Sequence, residues 1–344
     1  MNSKERVFAA IRRKEYDRIP RFFWLGEGAA ANLKRDKGIE VEALDSYFGN
    51  DILQSWLSIN KQMTKPCVPG ERFTDEWGIT WERSGYYNAP VVHPLKELSA
   101  AEIATYPFPD PYAPERYHDF NAFIERHGKT HFIGADVSGT LFEPAYHLRG
   151  MQEFMMDMAL EAEEADVLLD TLCDFSAKTA AFAVRCGADW IWLGDDMGTQ
   201  ASMLISADMW RRYFKPRMRK IIGAIRAESE DVVIAYHSCG SIYPIIGDLI
   251  EIGIQVLNPI QESAAGMNQR RIKDEYGDRL TLMCGLDTQT FLLQATPEEV
   301  YSEMQKKARE LSRGGGYIAA VSHTIQHDVP TQNLSALLEA LNNL

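Results

Sequence analysis

With 344 residues, 45% of them hydrophobic, the chain has the length and apolar content for one large α/β core. Its formal net charge of -13 speaks against a nucleic-acid surface, which needs clustered Lys and Arg to displace counterions from phosphates. The charged opening Met1-Asn2-Ser3-Lys4-Glu5-Arg6 lacks a signal-peptide core, and no apolar run approaches the roughly 20 residues that cross a bilayer, so a cytoplasmic protein without membrane partners is expected.

In chain order, Arg18 to Trp24 reads as a first strand, preceded by an N-terminal helical and loop extension. Between Pro66 and Pro114 lie eight prolines, together with Trp77 and Trp81, so residues 61–115 read as a loop-rich insertion: a lid over a binding site or a packed crossover. A weaker strand falls between Trp77 and Val92. From about residue 130, apolar runs alternate with amphipathic stretches, the signature of a parallel sheet. The runs are His131–Asp136, Asp189–Leu193, Val232–Tyr236, Ile254–Leu257, Leu280–Met283 and Tyr317–Val321. The helices predicted between them include Ala162–Arg185, Trp210–Glu228 and Ile242–Glu251, and Thr296-Pro297-Glu298-Glu299 opens another with an N-cap, a first-turn proline and acidic residues. Eight strands over this length predict a TIM (β/α)8 barrel occupying residues 1–344 as a single domain, with a doubly wound open sheet as the alternative.

Barrel chemistry gathers where strands end, and the residues there are polar: Trp24 and Glu27, Asp136 and Ser138, Asp195 and Asp196, His237 and Cys239, Asn258 and Gln261, Asp287, Ser322 and His323. The His-x-Cys pair points both side chains to one side of a strand end, the geometry of two zinc ligands. A catalytic zinc needs a third, and His323 on the last strand is the candidate, with Cys284 and Glu262 as lesser ones. Asp195 and Asp196 are expected to orient a metal-bound histidine or to act as a general acid, and capping of the turn is the simpler reading of Asp196. Trp24, Asp136, Asn258 and Gln261 are expected against substrate, with Glu27 among the catalytic groups. His147 is a further candidate for the mouth. The five scattered cysteines do not form a disulfide framework.

Together Asp17-Arg18-Ile19-Pro20, Gly194-Asp195-Asp196-Met197-Gly198-Thr199-Gln200, Ile205-Ser206, His237-Ser238-Cys239-Gly240, Asn258-Pro259-Ile260-Gln261, Gly285-Leu286-Asp287-Thr288, Ser322-His323 and Pro330-Thr331-Gln332-Asn333 resemble the uroporphyrinogen decarboxylase superfamily, and within it the zinc-dependent, corrinoid-linked methyltransferases. Decarboxylases of the superfamily carry an Arg-Gln-Ala-Gly-Arg run after the first strand to hold porphyrinogen carboxylates. Here Trp24-Leu25-Gly26-Glu27-Gly28 stands in its place, and an acid replaces the cationic grip. The methyltransferase branch holds zinc with His-x-Cys after the fifth strand and a Cys after the eighth. His237 and Cys239 match, whereas the third position is His323.

The resemblance therefore implies zinc as cofactor and a methyl-corrinoid on a partner protein as co-substrate. One thiolate instead of two leaves the site with one more positive charge, which suits activation of a leaving oxygen better than activation of a thiol. Demethylation of a methoxylated small molecule is the expected reaction, with Phe22, Phe23, Trp24, Trp77 and Trp192 as an apolar wall. Two other readings stand beside it: a metal-free decarboxylase-like enzyme in which His323 and Asp195 bind a carboxylated substrate, and a catalytically silent barrel that binds a corrinoid or tetrapyrrole. A homodimer is left open.

Overall fold

The computed structural model describes every residue except Pro66 and Tyr86, so Pro66 of the proline-rich segment lies outside the described residues. Ten strands are present among them: β1 (Ile52–Trp56), β2 (Arg72–Thr74), β3 (Thr80–Ser84), β4 (Tyr87–Val92), β5 (Phe132–Asp136), β6 (Trp190–Gly194), β7 (Val233–His237), β8 (Val256–Asn258), β9 (Thr281–Leu286) and β10 (Tyr317–Val321). Seven form one parallel sheet in the order β1-β5-β6-β7-β8-β9-β10. Residues 20–25 span the remaining gap. The Phe22 amide donates to the Ala319 carbonyl at 3.0 Å and the Asp51 amide to the Arg21 carbonyl at 2.9 Å, so this segment pairs with β10 on one side and the start of β1 on the other. The predicted TIM-like barrel is thus observed.

Strand alternation divides the core into two layers. Along β10, Ile318 and Ala320 enter the cluster inside the barrel with Phe22, Trp190 and Trp192, while Tyr317, Ala319 and Val321 face the surrounding helices. The helix Ser3–Ile11, opened by a reciprocal Asn2/Glu5 cap, inserts Val7 and Ile11 into the inner cluster. It plugs the N-terminal end of the barrel, which leaves the mouth at the C-terminal end.

Three expectations change. The strand predicted between Trp77 and Val92 does not belong to the barrel, because β2, β3 and β4 form a separate antiparallel sheet. The second barrel position belongs to β1, whose Gln54 and Ser55 interrupt the apolar run that would have marked it. The predicted helix Trp210–Glu228 is two helices, Ala207–Tyr213 and Lys215–Glu228, with Phe214 between them and Pro216 in the first turn of the second.

The β3–β4 hairpin meets the mouth loops: Gln326 Nε2 donates to the Tyr87 hydroxyl at 2.7 Å, and Arg83 lies 3.9 Å from Glu27. Behind it Trp81 is fully buried, with its ring edge-on to His147 at 5.2 Å. His147 is therefore a packed histidine, and burial lowers its pKa to about 3. Among the described residues no helix is long and apolar enough to cross a membrane.

Candidate metal centre

β7 ends on His237, which faces into the barrel two residues beyond Ala235 of the inner cluster. The next turn brings Cys239 back beside it, with Nε2 of His237 3.6 Å from Sγ. From the end of β10 comes His323, with ring centroids 5.8 Å apart between the two histidines. One ligand atom from each of His237, Cys239 and His323 lies within 4.8 Å of the others. Among the described residues this is the one group of His, Cys, Asp and Glu side chains that converges in this way.

Neighbouring residues set the chemistry of the three. Asn258 on β8 donates its side-chain amide to the Met283 carbonyl at 3.0 Å, so its oxygen faces Nδ1 of His237 at 2.9 Å. An acceptor there requires a proton on Nδ1, and the lone pair of His237 is left on Nε2, the atom aimed at Cys239. Gln261 ties the two ligand loops together: its oxygen accepts the Gly240 amide at 2.7 Å and its nitrogen donates to the Ser322 carbonyl at 3.2 Å. Asp196 accepts the Cys239 amide at 2.8 Å while its Oδ1 stands 3.6 Å from Nε2 of His237. It therefore caps the turn and borders the trio at once.

Burial, and then the Asp196 carboxylate, push the Cys239 thiol well above its ordinary pKa, whereas burial and then His237 lower that of His323. A divalent cation among them would offset the cost of a buried thiolate and use the lone pair of a neutral imidazole. The donor set fits zinc. At ordinary zinc–nitrogen and zinc–sulfur bond lengths a tetrahedral edge between them is about 3.6 Å, the separation that His237 and Cys239 already have. Two borderline donors and one soft one make a donor set that zinc accepts.

Other expected site residues are placed differently. Asp195 is buried, and its carboxylate accepts the Leu141 and Glu143 amides at 3.0 Å, so it holds the start of the helix Phe142–Arg149. Asp136 is buried with its oxygens taken by the Ser138 amide and hydroxyl and by Gln54, and Asn258 and Gln261 spend their amides on His237 and the ligand loops. All three brace the site and do not present free groups to substrate. Glu27 is the first residue of the helix Glu27–Lys37, its side chain 75% exposed and its ion-pair partner Arg83. Cys284 is buried in the layer beneath the helices, and Glu262 pairs with Lys307, so neither completes the metal group.

Of the aromatic wall, Phe22, Trp24 and Trp192 come together, with Trp24 edge-on to Trp192 at 6.2 Å and Trp192 tilted 30° against His237 at 5.7 Å. Phe23 alternates outward onto Phe48, and Trp77, in the turn between β2 and β3 outside the barrel, packs on Phe175. Glu143 escapes sequence reading. It is buried, receives Asn60 Nδ2 at 3.1 Å, and is held well above the usual carboxyl range by burial, then by Asp196 and Asp195. Its place in the first turn of the helix that follows β5 was the available signal.

Residues 88–344 match the model of a family described as uroporphyrinogen decarboxylase (URO-D). A methylcobamide:CoM methyltransferase of Methanosarcina mazei is 27% identical over 222 residues, 64% of this chain and 60% of that protein, so the chain spans less than two thirds of this relative. A uroporphyrinogen decarboxylase of Alkalilimnicola ehrlichii is 24% identical over 268 residues, 73% of this chain and 68% of that one. A solved structure of a methyltransferase from Methanosarcina mazei shares the fold, with a TM-score of 0.73 at 18% identity over 100% of this chain and 99% of that one. The family match covers the stretch from β4 to the last helix, all three converging ligands included, and by it the chain belongs to the uroporphyrinogen decarboxylase family.

Proposed function

We propose that the protein is a zinc-dependent methyltransferase that moves a methyl group between a methoxylated small aromatic molecule and the cobalt of a separate corrinoid protein. The observation that carries this reading is the convergence of His237, Cys239 and His323 at the mouth. Zinc bound there supplies Lewis acidity toward the oxygen that keeps its electrons when the methyl group leaves. Asn258 orients His237 through Nδ1, and Gln261 holds the Cys239 and His323 loops at one spacing. Trp24 and Trp192 keep water from one side of the trio. Asp196, 42% exposed and next to His237, is placed to pass a proton to the departing oxygen. The oxygen–methyl bond would break with its electron pair left on oxygen, the reduced corrinoid's cobalt(I) would supply the pair for the new carbon–cobalt bond and become formally cobalt(III), and the oxygen would gain the proton.

His323 in place of a second thiolate favours demethylation over thiol methylation, since the extra positive charge assists a leaving oxygen. The reading in which Asp195 grips a carboxylated substrate loses its residue, because that carboxylate is buried on backbone amides.

Purified without chelators, the protein should hold about one equivalent of zinc, and Cys239→Ala and His323→Ala should lose most of it. Mixed with a reduced corrinoid protein and aryl methyl ethers, it should build up methylcobalt absorbance. Zinc far below one equivalent and unaltered in both variants removes the metal from the reading. Methylation of a thiol from methylcobalamin, with every aryl methyl ether inert, reverses its direction.

A further inference from the structure

We propose that Trp56 is the stacking surface for the ring of the methylated substrate, an inference that deepens the methyltransferase reading and rests on it. Trp56 closes β1, the strand that hydropathy does not reveal. Leu53 of the same strand and Leu57 just past its end pack in the outer layer, and Ile52 lies in the inner cluster. Gln54 also points inward, donating to Asp136 at 2.6 Å and accepting from Trp190 at 3.0 Å. Period-two alternation then sends Trp56 inward as well, one step nearer the mouth.

Of the seven tryptophans it is the one left exposed, at 41%, whereas Leu57, next along the chain, is fully buried. The exposure follows from position: the plug helix fills the other end of the barrel, and Trp56 stands at the C-terminal end of its strand.

Its place relative to the trio is set by strand order. Trp56 is in register with Asp136 on β5, Asp136 with Trp192 on β6, and β6 adjoins β7, which carries His237. Three strand spacings of about 4.8 Å separate β1 from β7 along the wall, and His237 lies two residues beyond Ala235, the register partner of Trp192, so Trp56 faces the ligand strand from across the barrel. A ring resting on Trp56 would direct its methoxy group toward His237, Cys239 and His323.

The surroundings favour a neutral ring over a cation. Asp136, the carboxylate beside Trp56, is buried and already accepts three hydrogen bonds, so its oxygens are committed to the protein and not turned toward a methylammonium group.

Calorimetric binding to the zinc-loaded protein, alongside kinetics of methyl transfer to the corrinoid protein, tests the assignment. Trp56→Ala should weaken binding of a neutral aryl methyl ether and raise its KM about tenfold, as loss of an aromatic contact implies, with kcat changed less than twofold and zinc content unchanged. Trp56→Phe should recover most of the affinity. An aliphatic methyl ether of similar size should bind weakly to wild type and be indifferent to either change.

Equal affinity of wild type and Trp56→Ala for the aryl ether overturns the proposal, as does Trp56-dependent binding of tetramethylammonium with none of the aryl ether. The two readings fail separately. A wild-type protein that binds the aryl ether through Trp56 but transfers no methyl group keeps the stacking surface and loses the reaction. One that demethylates it equally well without Trp56 loses only the stacking surface.

Discussion

At the scale of single residues, the trio owes its readiness for metal to side chains that never touch it directly or touch it once. His237 would be an ordinary imidazole with two tautomers if Asn258 were absent; the Asn258 oxygen on Nδ1, itself held by the bond to the Met283 carbonyl, leaves Nε2 as the free donor. Asn258→Ala should therefore lower zinc affinity by roughly 10- to 100-fold, the usual effect of losing a partner that orients a ligand, in competition titrations against a chromogenic chelator. Unchanged affinity would mean that His237 finds its orientation from packing against Trp192 alone. His237, Cys239 and His323 are legible in the sequence because ligand chemistry depends on residue type and on strand ends, both of which are local. The roles of Asn258, Gln261, Asp136 and Asp195 are not. Each sits at a strand end as expected, but a free polar group and a polar group already bonded to backbone look identical until the neighbouring strand is in place.

At the scale of elements, the loop after β7, which carries Cys239, and the loop after β6, which carries Asp196, pass each other backbone against backbone. Gly240 has φ +75°, and a Cβ built there would fall 2.3 Å from the Gly198 carbonyl carbon; one built at Gly198 would fall 2.5 Å from the Ser241 nitrogen. Neither position tolerates a side chain, and neither neighbour is a flexible group that can move aside. Gly240→Ala should cost at least about 1 kcal/mol from the left-handed backbone alone, and the clash should also displace Cys239. Urea denaturation should show the lower stability, and zinc analysis substoichiometric metal. A variant with full zinc and unaltered stability would mean that the two loops are separable.

The same scale holds the misread strand. The stretch from Trp77 to Val92 has the β-prone residues of a strand and forms two, β3 and β4, which pair with each other in a hairpin outside the barrel. Meanwhile Ile52–Trp56 carries glutamine and serine and still takes the second barrel position. Propensity reports that a segment extends, not which edge it joins.

At the scale of the whole molecule, Asp51 joins the plug helix, the closing segment and β1. Fully buried, it receives Arg6 at 2.6 Å, both terminal nitrogens of Arg18 at 2.8 and 2.9 Å, and the Arg21 amide at 2.9 Å. Arg6 is itself bonded to Asp17, so the Asp17-Arg18-Ile19-Pro20 motif closes the barrel and lies away from the catalytic end. Asp51→Ala would strip a nearly buried Arg6 of one partner and Arg18 of its carboxylate. It should cost about 3–5 kcal/mol, the range for breaking a buried ion pair, as a shifted denaturation midpoint with little change in slope. A shift under about 1 kcal/mol would show that Asp17 alone satisfies Arg6.

Periodicity and the chemistry of strand ends were enough to read an α/β barrel, to find six of its strands within one to three residues of their observed limits, and to pick the three residues that converge. These depend on spacing along the chain, which the sequence states outright. Which segment fills the second barrel position, which aromatic rings face inward, and which carboxylates are already spent depend on pairing between residues far apart in the chain. Trp56 is the clearest case: in sequence it is one tryptophan in a stretch of mixed polarity, and only the pairing of β1 with β5 makes it a strand-end residue of the barrel.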